Sequence, residues 1–286
     1  MEPATSLNRD RALACLERLP RLSPLMMRLL AKLARPHCEV PELTSLIEKD
    51  PLLAGQVLSM ANSAAFGRAQ QITTVGHAVT MIGVGTLRKF ALGSSISNLF
   101  KTFRFAPSFS MNRFNLHSVA TAMLVEALVM EVRVDFPEGA FIAGMLHDIG
   151  KLLIAVTLPE SFQTIVSLAE ISDAPFIECE REVLEFGHAE LSALAIQRWE
   201  LAEQIQQAVR FHHEPERAIA EPGKVSLSLV INRADAFINH VGMSLLPQAT
   251  TIQRFPSLEF PGFPYSPVRV IENFEREWKT VGGMFR

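Results

Sequence analysis

Apolar residues return at every third or fourth position along nearly the whole chain, a spacing that admits helices and leaves little room for strands. Ser23-Pro24 reads as a helix start, with Ser as N-cap and Pro at the first helical position, and Leu25, Leu29, Leu30 and Leu33 on one face until Pro36 stops it. Val40-Pro41 opens the next helix. Asp50-Pro51 breaks and restarts it, and Leu52, Leu53, Val57, Leu58 and Met60 carry the pattern to a small-residue turn at Asn62–Gly67. Asp50 reads as a cap, and Asn62 as a helix end of the kind that tolerates a left-handed backbone. Thr73 or Thr74 caps a helix through Ile82, Gly83 and Gly85 end it, and Thr86 caps one more toward Phe100.

Residues 101–112 (KTFRFAPSFSMN) read as a connection. Beyond them the spacing predicts helices at about 114–132, 136–156, 159–170, 176–184, 187–198, 201–213 and 224–242. The run VSLSLVI (225–231) has strand-like composition, but it continues into NRADAFINHV at helical spacing, so helix is preferred. A Pro- and Phe-rich stretch, 243–265, leads to a last helix capped by Ser266-Pro267 with Val268, Ile271, Phe274 and Trp278 on one face. The fold class is therefore all-α. With the connection at 101–112 between them, two helical halves are expected, at 1–108 and 109–245, with an irregular tail and short last helix at 246–286.

Composition narrows the function. With 48% apolar and 20% charged residues and a net charge of -3, the chain suggests neither a nucleic-acid nor a membrane partner. The basic stretch Arg28 to Arg35 reads as a solvated helix face. The N-terminus has no secretory pattern, and the apolar stretch Val119 to Val132 is broken by Glu126 and Glu131, so a cytoplasmic protein is expected. Cys15, Cys38 and Cys179 form no CxxC pair and read as buried thiols. Met26, Met27, Met123 and Met130 read as core fill, and the lone GVG at 83–85 lacks the strand a phosphate loop needs.

The chemistry lies in histidines and aspartates. His147-Asp148 sits in AGMLHDIGKLL, and His212-His213 is a second doublet just before Pro215. Neighbours on a helix point about 100° apart, so a doublet can serve one cluster only near a helix end or across two ions. His117 opens an apolar helix, His188 follows Gly187 at a helix start, and Asp235 lies mid-helix among apolar residues, where an unpaired carboxylate is costly to bury. A lone helical histidine is ordinarily structural; two doublets with three singles on apolar helices point to metal. Imidazole and carboxylate together suit iron, manganese, zinc or nickel rather than calcium. A carboxylate can bridge two ions, and two-metal sites activate water for phosphoester hydrolysis.

His117, His147-Asp148 and Asp235 resemble the H…HD…D signature of the HD superfamily of metal-dependent phosphohydrolases. HDIGK (147–151), His188 and the His212-His213-Glu214 run resemble its HD-GYP branch. Five separated blocks, LPRLSPLMMRLLAKL (19–33), IEKDPLLAGQVLSMANSAAFG (47–67), TTVGHAVTMIGVGTLRKFAL (73–92), FIAGMLHDIGKLL (141–153) and FGHAELSALAIQRWEL (186–201), resemble the HDOD domain in order and spacing.

The resemblance implies that His117, His147, Asp148, His188, His212, His213 and Asp235 hold two divalent transition-metal ions, iron or manganese ahead of zinc or nickel. Asp148 would be the bridge and Lys151 the cation facing a substrate phosphate, these two forming the catalytic set of any hydrolase. It implies an N-terminal helical bundle packed on an HD-like bundle, and a bacterial regulator acting through contact with a signalling partner, since no receiver, cyclase or DNA-binding domain accompanies the blocks. The alternative is a phosphohydrolase acting on a nucleotide or other phosphoester. PERAIAEPG after Glu214 lacks the Gly-Tyr-Pro motif tied to cyclic-di-GMP hydrolysis, and Arg113 stands where some HD-GYP members place a third-metal Glu, which favours two ions.

Overall fold

The computed structural model describes residues 10–14, 16–17, 19, 22–25, 28, 39–63, 71–172, 174–246 and 256–282, without the side chains at 92, 95 and 280. The expectations for Cys15, Cys38, Met26, Met27 and most of the 23–36 helix lie outside them. Among the described residues there are thirteen α-helices, two 3-10 turns and no strand beyond two isolated bridges. By contact density the chain divides into two compact units, one built from the described part of 1–20 with 102–275, the other from 21–101 with the residues after 275.

The smaller unit contains α1 (Val40–Ile47), α2 (Pro51–Ala61), α3 (Val75–Ile82) and α4 (Val84–Leu99). Asp50 accepts from the backbone N–H groups of Leu52 and Leu53, both at 3.0 Å, which satisfies two of the donors a helix start leaves open. Asn62 does not take the left-handed backbone expected of it, having φ -90° and ψ 2°. Its side chain instead donates to the carbonyls of Leu58 and Ile72 and accepts from Ile72 N–H, clamping the end of α2 to the segment before α3. Thr86 caps nothing: Gly83, at φ +81°, both ends α3 and starts α4, a left-handed turn that suits glycine.

The larger unit carries α5 (Met111–Val129), α6 (Ala140–Leu146), α7 (Ile149–Thr157), α8 (Pro159–Ser172), α9 (Phe176–Leu184), α10 (His188–Arg198), α11 (Glu203–Arg210) and α12 (Leu227–His240). The α5 helix packs on α6 and α12, and α10 packs on α7 and α11. The connection at 101–112 is pinned by aromatic stacking, since Phe109 lies 5.1 Å from Phe105, 5.8 Å from Phe114 and 5.9 Å from Phe162. The start of α12 is fixed three ways: a bridge between Val134 and Val225, Asp135 accepting from Leu227 N–H at 3.0 Å, and Ser226 accepting from Leu229 N–H at 3.3 Å.

Three expectations change. The stretch 136–156 is not one helix but a 3-10 turn followed by α6 and α7, broken at His147-Asp148. Pro137–Thr157 is long and apolar enough to cross a membrane by composition, but 94% of that window is buried inside the protein as its central core segment. Met123 is buried as expected, whereas Met130 is 81% exposed. In α13 (Pro267–Val281) the buried face is Val270, Phe274 and Val281, and Val268 is 64% exposed.

The clamp has a measurable weight. Asn62→Ala removes three hydrogen bonds and leaves the Ile72 backbone groups without partners, which costs about 1–3 kcal/mol. The urea midpoint should fall, with helix content before unfolding unchanged.

Candidate metal centre

All seven predicted ligands lie in the larger unit, and five elements bring them to one place. His117 comes from the second turn of α5, His147 and Asp148 from the turn between α6 and α7, His188 from the first residue of α10, His212 and His213 from the turn after α11, and Asp235 from the middle of α12. They form two overlapping groups of four, His117–His147–Asp148–Asp235 and Asp148–His188–His212–His213, with donor atoms within 4.8 Å of one another in each. That is the span expected of donors around one ion with bonds of about 2.1 Å.

The adjacent pairs work because neither sits within a helix. Asp148, at φ -102° and ψ 8°, takes the N-cap position of α7 but caps nothing with its side chain, so the carboxylate is free to face the cluster. Gly150 permits the approach of α7 to α10. A Cβ there would lie 2.0 Å from the backbone oxygen of His188, and its N–H donates to Ser192 Oγ at 2.9 Å. The glycine of HDIGK is thus a packing requirement that sets Asp148 beside His188.

Each fixed ring is held from behind. Nδ1 of His117 donates to Met243 O (3.0 Å), that of His147 to Gly144 O (2.8 Å), that of His212 to Val209 O (2.6 Å) and that of His188 to Glu180 Oε2 (2.6 Å). Carbonyls and carboxylates only accept, so each Nδ1 carries a proton and each Nε2 is the nitrogen turned inward. Yet His117 Nε2 and His147 Nε2 lie 3.3 Å apart, and His188 Nε2 and His213 Nε2 only 2.9 Å. Two such nitrogens at these distances repel unless a cation, a proton or a metal ion, stands between them. This back-bonded arrangement is how proteins orient metal-ligating histidines.

The carboxylates complete the pattern. Asp148 Oδ2 faces His117 Nε2 at 3.3 Å and His147 Nε2 at 3.5 Å, while Oδ1 faces His188 Nε2 at 3.1 Å and His212 Nε2 at 3.9 Å. Asp235 Oδ1 lies 3.1 Å from His117 Nε2 and 3.5 Å from His147 Nε2, and is steadied by Asn239 Nδ2 at 2.7 Å. Asp148 Oδ1 and His212 Nε2 are buried without any hydrogen-bond partner, an expensive arrangement unless a ligand meets them. The donor set therefore fits a divalent transition metal.

Charge follows the same geometry. Burial opposes ionisation of Asp148, but His147, Lys151 and His188 outweigh it and hold its carboxyl well below the usual range. Asp235 is likewise held down against burial by its hydrogen bonds to His117 and His147. Burial works against a charge on His117, yet the bonds to Asp148 and Asp235 push it up to about 9, so that without a metal ion a proton on its Nε2 takes the cation's place. Burial likewise opposes a charge on His188, and Glu180 and Asp148 raise it. Burial and the surrounding histidines drive His212 well down, and burial with His188 takes His213 to about 3, so both present neutral nitrogens.

Lys151 does not stand free to meet a phosphate. It is 9% exposed, with Nζ 2.7 Å from Asp148 Oδ2 and 5.6 Å from the centre of the Phe176 ring. Glu214 turns away from the cluster and pairs with Arg181 and Arg217. Arg113 donates from Nε to Ser244 O at 3.2 Å. Sequence reasoning missed Glu180, Asn232, whose amide donates to His212 O at 2.8 Å, and Asn239. The available signal was a polar residue on a buried face: Glu180 lies three residues after Ile177 and four before Leu184, all buried.

These features have counterparts. The chain belongs to the HDOD domain family, whose model matches residues 19–215. An uncharacterized protein of Treponema pallidum (strain Nichols) is 22% identical over 201 residues, which are 68% of this chain but 37% of that protein, so the chain spans well under half of that relative's length. Among solved structures, an HDOD domain protein of Geobacter sulfurreducens matches with a TM-score of 0.75 at 20% identity, covering 98% of this chain and 97% of that one. A candidate signal transduction protein of Marinobacter aquaeolei VT8 gives 0.74 at 19% identity over 98% and 66% of the two chains. A candidate phosphohydrolase of Shewanella amazonensis SB2B gives 0.67 at 22% identity over 96% and 97%. At these identities the likeness shows the fold.

Because Gly150 sets the separation of α7 and α10, Gly150→Ala should lower stability by about 1–3 kcal/mol through overpacking. Metal retained after gel filtration should fall with it, while Asn62→Ala, in the smaller unit, leaves metal content alone. Wild-type metal content in Gly150→Ala would contradict the packing role.

Proposed function

We propose that this HDOD protein is a cytoplasmic bacterial signal-transduction component whose seven residues hold two divalent transition-metal ions, iron or manganese ahead of zinc or nickel, and whose output passes by contact to a partner protein. The observation that carries the reading is enclosure. His117, His147, Asp148, His188, His212 and Asp235 are all buried, and Lys151 is committed to Asp148. A centre closed in this way stabilises the arrangement of α5, α6, α7, α10 and α12 around it, since metal binding free energy is also folding free energy. His117, His147, Asp148 and Asp235 would hold one ion, and His188, His212, His213 and Asp148 the other.

A metal-dependent phosphohydrolase is the second reading, supported by the Lys151 ammonium beside Asp148 and by the partial exposure of His213 at one side of the cluster. A pair of divalent ions supplies Lewis acidity toward a phosphoester. This chain's own part would be the positive charge of Lys151, held at 2.7 Å from Asp148 and able to bind phosphoryl oxygens only by leaving that partner.

Metal analysis of the purified protein, followed by hydrolysis assays with nucleotides and cyclic dinucleotides, separates the readings. Two ions per chain with no turnover is the expected result. Turnover that is lost in Lys151→Ala while both ions are kept would establish the hydrolase instead. Metal content unchanged by joint His147→Ala and Asp148→Ala substitution would sink both.

A further inference from the structure

Glu180 is fully buried on α9, and none of the seven ligand positions includes it. Its Oε2 accepts from both the backbone N–H and the ring Nδ1–H of His188, each at 2.6 Å, while its Oε1 is buried with no hydrogen-bond partner. His188 is its ion-pair partner among the described residues. The close approach is built in: Gly187 leaves the room, since a Cβ there would lie 2.2 Å from Ile177 Cδ1 and 3.4 Å from Glu180 Oε2. A carboxylate so enclosed is costly unless positive charge stands on or beyond the ring it touches.

The two halves of the cluster differ in how they meet that need. The His117–His147 half has Asp235 as a carboxylate of its own, in addition to the shared Asp148. The other half has three imidazoles and only its share of Asp148. The Nδ1 atoms of His117, His147 and His212 rest on neutral carbonyls; His188 alone of these four rests on a carboxylate. Counted through the ring, each half then has one carboxylate of its own, direct in one case and relayed in the other.

We propose that Glu180 is a positioning residue that acts through His188 to set the affinity of the His188–His212–His213 half for its ion, so that the two halves of the centre are loaded through carboxylates at different depths. The inference rests on the metal reading above. A carboxylate behind an imidazole fixes the ring's tautomer and orientation and raises the basicity of the nitrogen facing the metal. Glu180→Gln keeps the shape and one acceptor and removes the charge.

The test is a Mn2+ titration of chelator-stripped protein followed by electron paramagnetic resonance, with helix content monitored by circular dichroism. Wild type should take up two Mn2+, the second producing a spin-coupled spectrum as expected for ions about 3.5–4 Å apart. Glu180→Gln should keep its helix content and one tightly held Mn2+ with an isolated six-line signal, and bind the second about 10–100-fold more weakly. Glu180→Asp, which keeps the charge at shorter reach, should fall between the two, and it decides the matter if the Gln variant does not fold. Two Mn2+ held with wild-type affinity and coupling in both variants would overturn the role of Glu180 and leave the metal reading intact. Equal weakening of both ions would also overturn it, because the effect would not belong to one half. Wild-type protein that binds no Mn2+, Fe2+ or Zn2+ would overturn the metal reading and this inference with it.

Discussion

The Asp148 carboxylate is the point on which this structure turns. One oxygen faces His117, His147 and Lys151, and the other faces His188 and His212, so a single side chain belongs to both groups of donors. That division is possible because the residue lies in a break between α6 and α7 instead of within a helix, where its side chain would follow the groove of its own turn. The placing of that break beside α10 in turn depends on Gly150, which lets the start of α7 rest against the backbone of His188. Ordering around one carboxylate therefore reaches into α5, α7, α10 and α12.

Helix ends do most of the remaining positioning. Gly144 O and Val209 O, which hold His147 and His212 from behind, are carbonyls three residues earlier in the chain at the ends of α6 and α11. Carbonyls at a helix end lack the usual donor four residues on, and a ring Nδ1–H meets them, Val209 O also accepting the His212 backbone N–H at 3.4 Å. The same bond fixes the tautomer that aims Nε2 inward. Structural satisfaction of the backbone and preparation of the donor set are here the same hydrogen bonds. Protonation follows from the division of charge: two buried carboxylates hold His117 up at about 9, while crowded and desolvated imidazoles drive His213 to about 3.

Much of this was legible in the residues, and the exceptions have physical causes. Asp50-Pro51 and Thr74 mark helix starts because their side chains or rings act within three residues of themselves. The two doublets and three singles were visible because His and Asp are conspicuous among apolar neighbours; their residue types and positions pointed to a shared metal site, and the family resemblance supplied the ligand roles. The break at His147-Asp148 was not legible, since Pro137–Thr157 is apolar on every side and its periodicity carries no phase. Glu180 and Asn239 were hidden for another reason: their partners are fixed by packing across helices or along a buried face, and charge pattern in one segment does not reveal it. Met130 and Val268 failed for the same cause, as hydrophobicity predicts burial only where a neighbouring element arrives to cover it.

The central claim is that the opposed Nε2 atoms and the orphaned Asp148 Oδ1 exist to surround metal. Anomalous diffraction from crystals of the purified protein, recorded across the iron, manganese, nickel and zinc absorption edges, tests it most directly. The account predicts two anomalous peaks, one among His117, His147 and Asp235 and one among His188, His212 and His213, with Asp148 reaching both. A map with no peak at either position, in crystals where the histidines keep these close approaches, would contradict it.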